Sequence, residues 1–499
     1  MFEVAEIGHT LDKTTYRELE PAVNFQLLQL QQRLQEANRA LIIIVAGVEG
    51  AGKGEVVDKL NYWLDTRSVT THAFWDETDE ERNRPLFWRY WRTLPSRGRI
   101  GIMFSSWYTK PIRDRVFNNL PDADFESALQ QVEDLEQTLV HDGTVIVKLW
   151  FHLSEDAQKD RLEADVHVAK LKTAPDAEKF VKSYKALRDA AERAIRLTEK
   201  QHAPWHIIEA TDTQYRNIAA GRVLIDRLQE ELAEGETSAK PVENLPEART
   251  TISDLPGELD VTILDKLDLS KALEEDRYRE QLERLQTQLH KISWRMHSEA
   301  RSAVVIFEGW DAAGKGSTIR RLTAAIDARL YRVIRVGAPT DEELAHHYLW
   351  RFWRQVPPAG YLTIYDRSWY GRVLVERVEG FANRDEWLRS YQEINNFEEH
   401  LTRHGIAVVK FWLHISKDKQ LERFNERQKD PRKQHKITPE DWRNRENWNA
   451  YREAVSDMVA HTSTRAAPWH LVEANDKKFA RVKVLESMVN TLSTLVNKG

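Results

Sequence analysis

The sequence contains no cysteine among its 499 residues, and this absence removes several classes of chemistry. Disulfides, thiolate zinc sites and cysteine nucleophiles are all excluded. No apolar run approaches the ~18 residues that a transmembrane helix needs. The N-terminus, which begins Met1-Phe-Glu-Val-Ala-Glu, is acidic and does not resemble a secretory signal. We therefore expect a soluble cytoplasmic protein with no membrane partner.

An excess of positive charge is also lacking. Lys and Arg number 73 and Asp and Glu number 79, which gives a formal net charge of −6. The chain therefore has no overall signature of nucleic-acid binding, and any site for a polyanion must be a local concentration of basic residues. Apolar residues make up 41% of the chain and 17 residues are Trp, so large cores can form. The length predicts two or more domains.

The two halves of the chain repeat each other. The same separation of 262 positions relates many pairs of like residues: Lys53/Lys315, Trp88/Trp350, Trp91/Trp353, Pro95/Pro357, Gly98/Gly360, Trp107/Trp369, Lys148/Lys410 and His152/His414. Near the ends, Ala203-Pro-Trp-His206 matches Ala467-Pro-Trp-His470 at a separation of 264. This pattern predicts a tandem duplication with domains at residues 1–232 and 263–499. Residues 233–262, rich in Pro, Gly, Ser and acids, are predicted to be a linker, although an ordered strap packed on both halves is an equal alternative.

A glycine-rich stretch, Gly309-Trp-Asp-Ala-Ala-Gly-Lys-Gly316, carries the first chemical signal. An apolar, strand-like run precedes it at Ala303–Glu308, and Ile319, Leu322, Ile326 and Leu330 follow at helical spacing. Strand, glycine-rich turn and helix form the context of a phosphate-binding P-loop. Lys315 supplies a positive charge there. The predicted phosphate contacts within and just after the loop are Gly309, Ala312, Ala313, Gly314, Gly316 and Ser317.

This loop departs from the usual P-loop in two ways. The residue after Lys315 is Gly316, whereas a Ser or Thr hydroxyl normally ligates Mg²⁺ at that position. An acid, Asp311, lies inside the loop, and a carboxylate beside phosphates is repelled unless a cation lies between them. We interpret Asp311 as a ligand of Mg²⁺. The alternative is that Asp311 only shapes the turn through hydrogen bonds to the backbone.

The second copy alternates short apolar strands with helices. Strands are predicted in the P-loop run, at Val333–Val336, Tyr361–Tyr365, Ala407–Ile415 and His470–Ala474, and a Trp-rich helix is predicted from about Asp341 to Gln355. This order predicts an α/β fold with a parallel five-stranded sheet between helices, whose ligands bind at the carboxyl ends of the strands. Asp366 ends one such strand and is predicted to be a second, Walker-B-type metal ligand.

Basic residues crowd the region after the P-loop. They comprise Arg320, Arg321, Arg423, Arg427, Lys429, Arg432, Lys433 and Lys436. Such a run is most often a solvated face, but beside a P-loop it could form a helical lid that closes on phosphates. Arg372 and Glu376 lie four residues apart, and they could form a solvated ion pair or contact a nucleotide. Trp350 and Trp353 are expected to pack in the core rather than stack on adenine.

Several of these motifs together resemble the type-2 polyphosphate kinase family. The resemblance rests on Gly309–Gly316, on Tyr365-Asp-Arg-Ser-Trp-Tyr370 with Val373–Val378, on Lys410-Phe-Trp-Leu-His-Ile-Ser416 and on Ala467–His470. It covers nearly the whole second copy. The duplication is similar to the two-domain members of that family, which move a phosphoryl group from inorganic polyphosphate to AMP with Mg²⁺. It implies a P-loop kinase fold similar to that of thymidylate kinase.

The resemblance also implies roles for positions in this chain. Those implied to be catalytic are Asp311, Lys315, Asp366, Arg367, Arg423 and Arg427, with Asp311 and Asp366 associated with the metal. Arg320 and Arg321, together with Lys436, are predicted to grip polyphosphate, and Arg367, Arg372 and Glu376 to contact the nucleotide. The acceptor is an ionised phosphate oxygen, so no general base is needed and neither His435 nor His346 and His347 is assigned a catalytic role.

The first copy breaks this pattern at the positions that carry the chemistry. At a separation of 262, Asp311 corresponds to Glu49, Ser317 to Glu55, Arg320 to Asp58, Asp366 to Phe104, Arg367 to Ser105 and Arg427 to Asp165. Lys53 is kept. Each charge reversal beside a polyanion is unfavourable by roughly a few kcal/mol. We therefore predict that the first copy is inactive and packs as a pseudo-partner of the second, which could assemble into a homo-oligomer. A weaker alternative is a regulatory anion site at Lys53.

Other functions remain open on the residues alone. A polyphosphate kinase could act mainly on nucleoside diphosphates. A P-loop nucleoside monophosphate kinase could use ATP, although Gly316 and Asp311 count against it. A regulator could bind polyphosphate without turnover, but two acids beside an intact lysine argue for catalysis.

Overall fold

The computed structural model describes residues 1–164, 182–234, 262–431, 434 and 437–497. Most of the predicted linker, residues 235–261, lies outside this range, as do Asp165, Arg432, Lys433, His435 and Lys436. The predicted division at residues 233–262 therefore stays a prediction. Within the described residues, no helix is long and apolar enough to cross a membrane.

Each copy forms its own parallel five-stranded sheet, as the sequence predicts. The strands are β1 Leu41–Gly47, β2 Val69–Ala73, β3 Ile100–Phe104, β4 Val145–His152, β5 Trp205–Glu209, β6 Ser302–Gly309, β7 Tyr331–Arg335, β8 Leu362–Asp366, β9 Ile406–His414 and β10 Trp469–Glu473. Their order is β2-β3-β1-β4-β5 in the first sheet and β10-β9-β6-β8-β7 in the second. Seven of the eight residues of the central strand β6 are buried, because helices cover both faces of a parallel sheet.

Helices connect the strands. In the first copy they are α1 Lys13–Glu36, α2 Lys53–Trp63, α3 Asp79–Arg82, α4 Trp88–Trp91, α5 Thr109–Phe117, α6 Asp122–His141, α7 Glu155–Ala164, α8 Tyr184–Thr198 and α9 Thr213–Glu234. In the second they are α10 Glu275–Ser298, α11 Lys315–Thr323, α12 Asp341–Leu344, α13 Trp350–Trp353, α14 Val375–Val378, α15 Arg384–Arg403, α16 Lys417–Lys429, α17 Pro439–Glu446, α18 Trp448–Thr462 and α19 Lys477–Asn497. In the part of the chain that the structure describes, 3₁₀ helices occupy Phe2–Ala5, Thr66–Ser68, Ile263–Lys266 and Trp369–Val373.

The chain divides into two compact units, and these do not coincide fully with the sequence halves. The first unit includes Thr340–His347 from the second copy, and the second unit includes Thr78–Trp88 from the first copy. Within the first unit, the Arg97 backbone N–H donates to the Ala345 carbonyl at 2.8 Å. The exchanged segments begin alike, since Thr78 and Thr340 each form a capping box with a Glu three residues on.

Two helices are shorter than predicted. The Trp-rich stretch is not one helix from Asp341 to Gln355 but the two single turns α12 and α13. Helix α11 ends at Thr323 and not near Leu330, because the Ala325 and Ile326 N–H groups bond three residues back and tighten the chain into turns. Ile326 and Leu330 still reach the core, where 5% and 2% of their surfaces are exposed. Trp350 and Trp353 are buried, which confirms their predicted packing role.

Candidate active site

The glycine-rich loop lies between β6 and α11 at the carboxyl end of the second sheet. Gly309 has a φ of 147°, and a Cβ placed there would lie 2.5 Å from the Leu413 carbonyl oxygen. Only glycine fits so close to the backbone of the neighbouring strand β9. Gly314, with a φ of 112°, caps the N-terminus of α11. The loop therefore places the N-terminus of a helix at the carboxyl end of the sheet, which suits an anion.

Lys315 begins α11 and folds back over the loop. Its Nζ donates to the carbonyl of Gly309 at 2.5 Å and lies 3.4 Å from that of Trp310. The Ser317 and Thr318 hydroxyls both donate to the Gly314 carbonyl. The loop carbonyls therefore hold the Lys315 ammonium group, and a phosphate would compete with them for it.

Asp311 projects from the loop and has a partner on each carboxylate oxygen. Asn444 Nδ2 donates to Oδ2 at 2.9 Å, and Arg367 Nη2 lies 3.4 Å from Oδ1. Its backbone carbonyl accepts from Gln420 Nε2 at 3.1 Å. The carboxylate is thus held by side chains, and within the described part of the chain it makes no hydrogen bond to the backbone of its own loop.

Asp366 ends β8 beside this loop. In the sheet register it pairs with Phe307, two residues before Gly309. Asp366 therefore lies beside the start of the glycine-rich loop. The next residue, Arg367, has a left-handed φ of 64°, and its N–H donates to the Phe307 carbonyl. Burial alone would lower the pKa of the Arg367 guanidinium, but the carboxylates of Asp311 and Glu308 outweigh burial and raise this pKa. A backbone strained at this point holds a charged side chain over the site.

Sequence reasoning missed a third acid, Glu308. It is 5% exposed at the end of β6, and the Ser368 hydroxyl donates to its Oε1 at 2.8 Å. Burial raises the pKa of this carboxyl, while the charges of Lys315 and Arg367 oppose that rise. Its position directly before the first loop glycine was a signal that could have identified it. Among the described residues, no group of three or more His, Asp or Glu side chains is arranged to hold a metal.

Arg423 lies behind the loop and faces its backbone. Only 3% of it is exposed, and its guanidinium donates to the carbonyls of Ala312, Ala313, Ala474 and Asn475 at 2.8–3.1 Å. Burial lowers the pKa of this guanidinium. These bonds tie the glycine-rich loop to the end of β10, which makes Arg423 a brace of the loop in this state. Arg427, one turn further along α16, is half-buried.

The other predicted contacts are more dispersed. Arg320 and Arg321 lie in the last turn of α11 and are exposed. Arg372 Nη1 pairs with Glu376 Oε2 at 3.0 Å, and its guanidinium lies 4.5 Å from the centre of the Tyr348 ring. The first copy keeps a similar pair, Lys110 and Asp114, at 3.3 Å. The first copy carries Phe104 in place of Asp366 yet keeps an ion pair at these two positions, so stabilising the local fold also explains the Arg372–Glu376 pair.

Aromatic packing joins the loop to the helices that follow the basic region. The rings of Trp310 and Trp448 stack with centroids 3.7 Å apart and planes 7° apart. Trp310 Nε1 donates to His414 Nδ1 at 3.0 Å. Neither the contact between Trp310 and His414 nor that between Asp311 and Asn444 could be predicted from the sequence, because the partners are more than 100 residues apart in the chain.

The loop of the first copy is filled by the protein's own side chains. Lys53 Nζ lies 3.2 Å from the Glu49 carboxylate and donates to the carbonyls of Gly47 and Val48. Arg216 is fully buried against the loop, donating to the Ala51 carbonyl at 3.1 Å and to Glu55 at 2.7 Å. Around this loop, Glu49 pairs with Lys53 and Glu55 pairs with Arg216.

Comparison with known proteins agrees with this geometry. The family described as Polyphosphate kinase 2 (PPK2) matches residues 10–236 and again residues 272–498. The chain is 46% identical to a polyphosphate:AMP phosphotransferase of Pseudomonas aeruginosa over the full length of both chains, and 35% identical to one of Acinetobacter johnsonii over 94% of each. Its fold is similar to a crystal structure of a polyphosphate kinase 2 from Pseudomonas aeruginosa, with a TM-score of 0.89, 44% identity and full coverage of both chains. The chain, in both of its copies, belongs to the polyphosphate kinase 2 family.

Proposed function

We infer that the protein transfers the terminal phosphoryl group of inorganic polyphosphate to AMP, which gives ADP. The single observation that carries this inference is the placement of Lys315, Asp311 and Asp366 at the carboxyl end of the second sheet, where β6 and β8 lie side by side. The full-length relatives of the same two-copy arrangement bear the name of this activity. We propose that the loop acts as a P-loop, that Asp366 is its Walker-B acid, and that the reaction takes place in the cytoplasm, where AMP is available.

Phosphoryl transfer depends mainly on alignment and on neutralising charge, and the residues present can supply both. Lys315 exchanges its bonds to the loop carbonyls for oxygens of the transferred phosphate. Arg367, held beside Asp311, faces charge that develops during transfer. Arg427, Arg320, Arg321 and Lys436 are proposed to bind the chain of phosphates, and Arg372 with Glu376 to bind the nucleotide. The acceptor oxygen of AMP is already ionised, so no side chain has to remove a proton.

A divalent cation, which we propose is Mg²⁺, fits the two carboxylates Asp311 and Asp366. Mg²⁺ is commonly bound by one or two carboxylates together with waters and substrate phosphates, so a two-acid set is sufficient. When bound, the cation would neutralise charge on the phosphate oxygens during transfer. Asn444 and Arg367 keep Asp311 oriented before substrate arrives.

We further propose that the first copy, residues 1–232, does not catalyse transfer and that residues 263–499 do. Phe104 occupies the position of Asp366, so one metal ligand is missing. The remaining loop acid, Glu49, pairs with Lys53, and the positive charge of Lys53 lowers the pKa of that carboxyl. A lysine engaged by an adjacent carboxylate is poorly placed to bind phosphate.

One experiment tests the assignment. The purified protein is incubated with AMP, Mg²⁺ and either polyphosphate or ATP, and ADP is followed by chromatography. ADP formed from polyphosphate supports the proposed function. ADP formed from AMP when ATP is the donor, but not when polyphosphate is, would identify a nucleoside monophosphate kinase. No ADP with either donor would identify a binding protein. Parallel reactions with ADP and GMP as acceptors measure whether AMP is preferred.

A further inference from the structure

We propose that Asn444 is a positioning residue that holds the Asp311 carboxylate in the orientation needed for catalysis. This rests on the transfer reaction and on the metal role of Asp311 proposed above. Asn444 Nδ2 donates a hydrogen bond to Asp311 Oδ2 at 2.9 Å, and Arg367 Nη2 lies 3.4 Å from Asp311 Oδ1. With a partner on each oxygen, the plane of the carboxylate is fixed. Partners of this kind orient metal ligands and tune their affinity.

Asn444 is itself held in place. It lies on α17, and the Tyr451 hydroxyl from the following helix α18 donates to Asn444 Oδ1 at 3.1 Å. Because this bond occupies the amide oxygen, the NH₂ group is directed to Asp311. The result is a chain of hydrogen bonds from Tyr451 through Asn444 to the loop acid, in which each group has one defined role.

A second contact ties the same helices to the same loop. Trp310 is the neighbour of Asp311, and its indole stacks on Trp448, the first residue of α18. The edge of the Tyr451 ring also faces Trp310, with centroids 6.3 Å apart. The loop is therefore held to α17 and α18 by an aromatic stack at one residue and by a hydrogen bond at the next.

The first copy carries different residues at these positions, one of which, Phe180, lies outside the described residues. Thr198 and Thr462 set the alignment here, since each accepts a hydrogen bond from an equivalent tryptophan and they are 264 positions apart. At that separation Tyr451 corresponds to Leu187 and Asn444 to Phe180, while Trp310 corresponds to Val48 at 262.

Both copies keep some contacts that stabilise the shared fold. The buried pair Lys410–Glu398 shows this, because it recurs as Lys148–Glu136 with Nζ–carboxylate distances of 2.7 and 2.8 Å. The first copy replaces Asn444, Tyr451 and Trp310 as it replaces Asp366, whereas it keeps the buried pair, and this contrast supports a role of Asn444 in the chemistry.

The test compares Asn444→Ala, the volume-preserving Asn444→Leu and Tyr451→Phe with the matched control Asn449→Ala, an exposed asparagine on α18. We expect kcat for ADP formation to fall about 10–100-fold in both Asn444 variants, and less in Tyr451→Phe. The affinity for Mn²⁺ alone, measured by water-proton relaxation, should fall at least about 10-fold, while KM for AMP stays within about two-fold. Asp311→Asn provides the benchmark for loss of the ligand itself.

Two results would overturn the proposal. One is wild-type Mn²⁺ affinity and wild-type kcat in both Asn444 variants. The other is equal Mn²⁺ affinity in wild type and Asp311→Asn, which would remove the ligand that Asn444 is said to orient. If an Asn444 variant does not fold, as judged by circular dichroism, Tyr451→Phe decides by the same two measurements. A wild-type protein that makes no ADP would contradict the proposed function, while the Mn²⁺ comparison would still test Asn444.

Discussion

Asp311 and Asp366 occupy positions where small changes should have large effects. Asp311 lies in a loop whose backbone is fixed from both sides, and Asp366 lies at the end of a strand that pairs with β6. Neither acid shapes its own backbone through side-chain hydrogen bonds that the structure records among the described residues. We therefore expect each carboxylate to act through what it binds.

Replacing Asp366 by Asn should abolish most of the activity without unfolding the protein. The amide has nearly the same shape as the carboxylate but lacks its charge, so the affinity for a divalent cation is lost. We expect kcat to fall by about 100-fold or more, with a normal unfolding transition. Asp385→Asn, at an exposed position on α15, is the control. An Asp366→Asn enzyme with most of its activity intact would contradict the assignment.

His414 should make stability depend on pH. Burial lowers the pKa of His414 from 6.5 to about 4, and the neutral ring accepts the Trp310 N–H. As pH falls from 6.5 towards 4, the unfolded chain binds a proton that the folded chain does not, so folding loses stability. The loss should reach about 3 kcal/mol. His414→Gln, which keeps an acceptor, should flatten this slope in urea denaturation curves measured across that pH range, and an unchanged slope would contradict the explanation.

At the scale of elements, the junction of β6 with the glycine-rich loop has little tolerance. Replacing Gly309 by Ala places a methyl group 2.5 Å from the Leu413 carbonyl oxygen at a φ of 147°, so β6 and β9 must separate. We expect Gly309→Ala to lose activity and about 1–3 kcal/mol of unfolding free energy. Gly337→Ala, where a Cβ meets nothing within 4 Å, should leave both unchanged. Equal behaviour of the two variants would show that close strand packing does not shape the loop.

The elements also show what a sequence can and cannot predict. All five strands of the second copy were predicted within one or two residues, because short apolar runs between helices have few alternative interpretations. The prediction of one helix from Asp341 to Gln355 was wrong. Its tryptophans have helical spacing, but the chain forms two separate turns there, and the tryptophans are buried in the core. Asn444 could not be predicted, because it meets Asp311 only through a fold that brings together residues 133 positions apart. The role of Arg423 as a brace was hidden for the same reason.

At the scale of the whole molecule, the two copies share contacts of the fold and differ at positions that we propose for catalysis. Both copies keep the buried Lys–Glu pair, with Lys148 and Lys410 each also donating to a tyrosine hydroxyl. Both keep a left-handed residue after the strand that precedes this tyrosine, Ser105 with a φ of 61° and Arg367 with 64°. At the positions of Asp366, Arg367 and Tyr451, the first copy carries Phe104, Ser105 and Leu187.

The most direct test compares the two loop lysines in the full-length protein. Lys315→Ala and Lys53→Ala are assayed for ADP formation from AMP and polyphosphate, with unfolding curves to show that each variant folds. We expect Lys315→Ala to reduce kcat by about 100-fold or more, because an oriented charge on the transferred phosphate is lost. Lys53→Ala, whose lysine faces Glu49, should retain near wild-type turnover. Equal loss of turnover in both variants would contradict a single working site in the second copy.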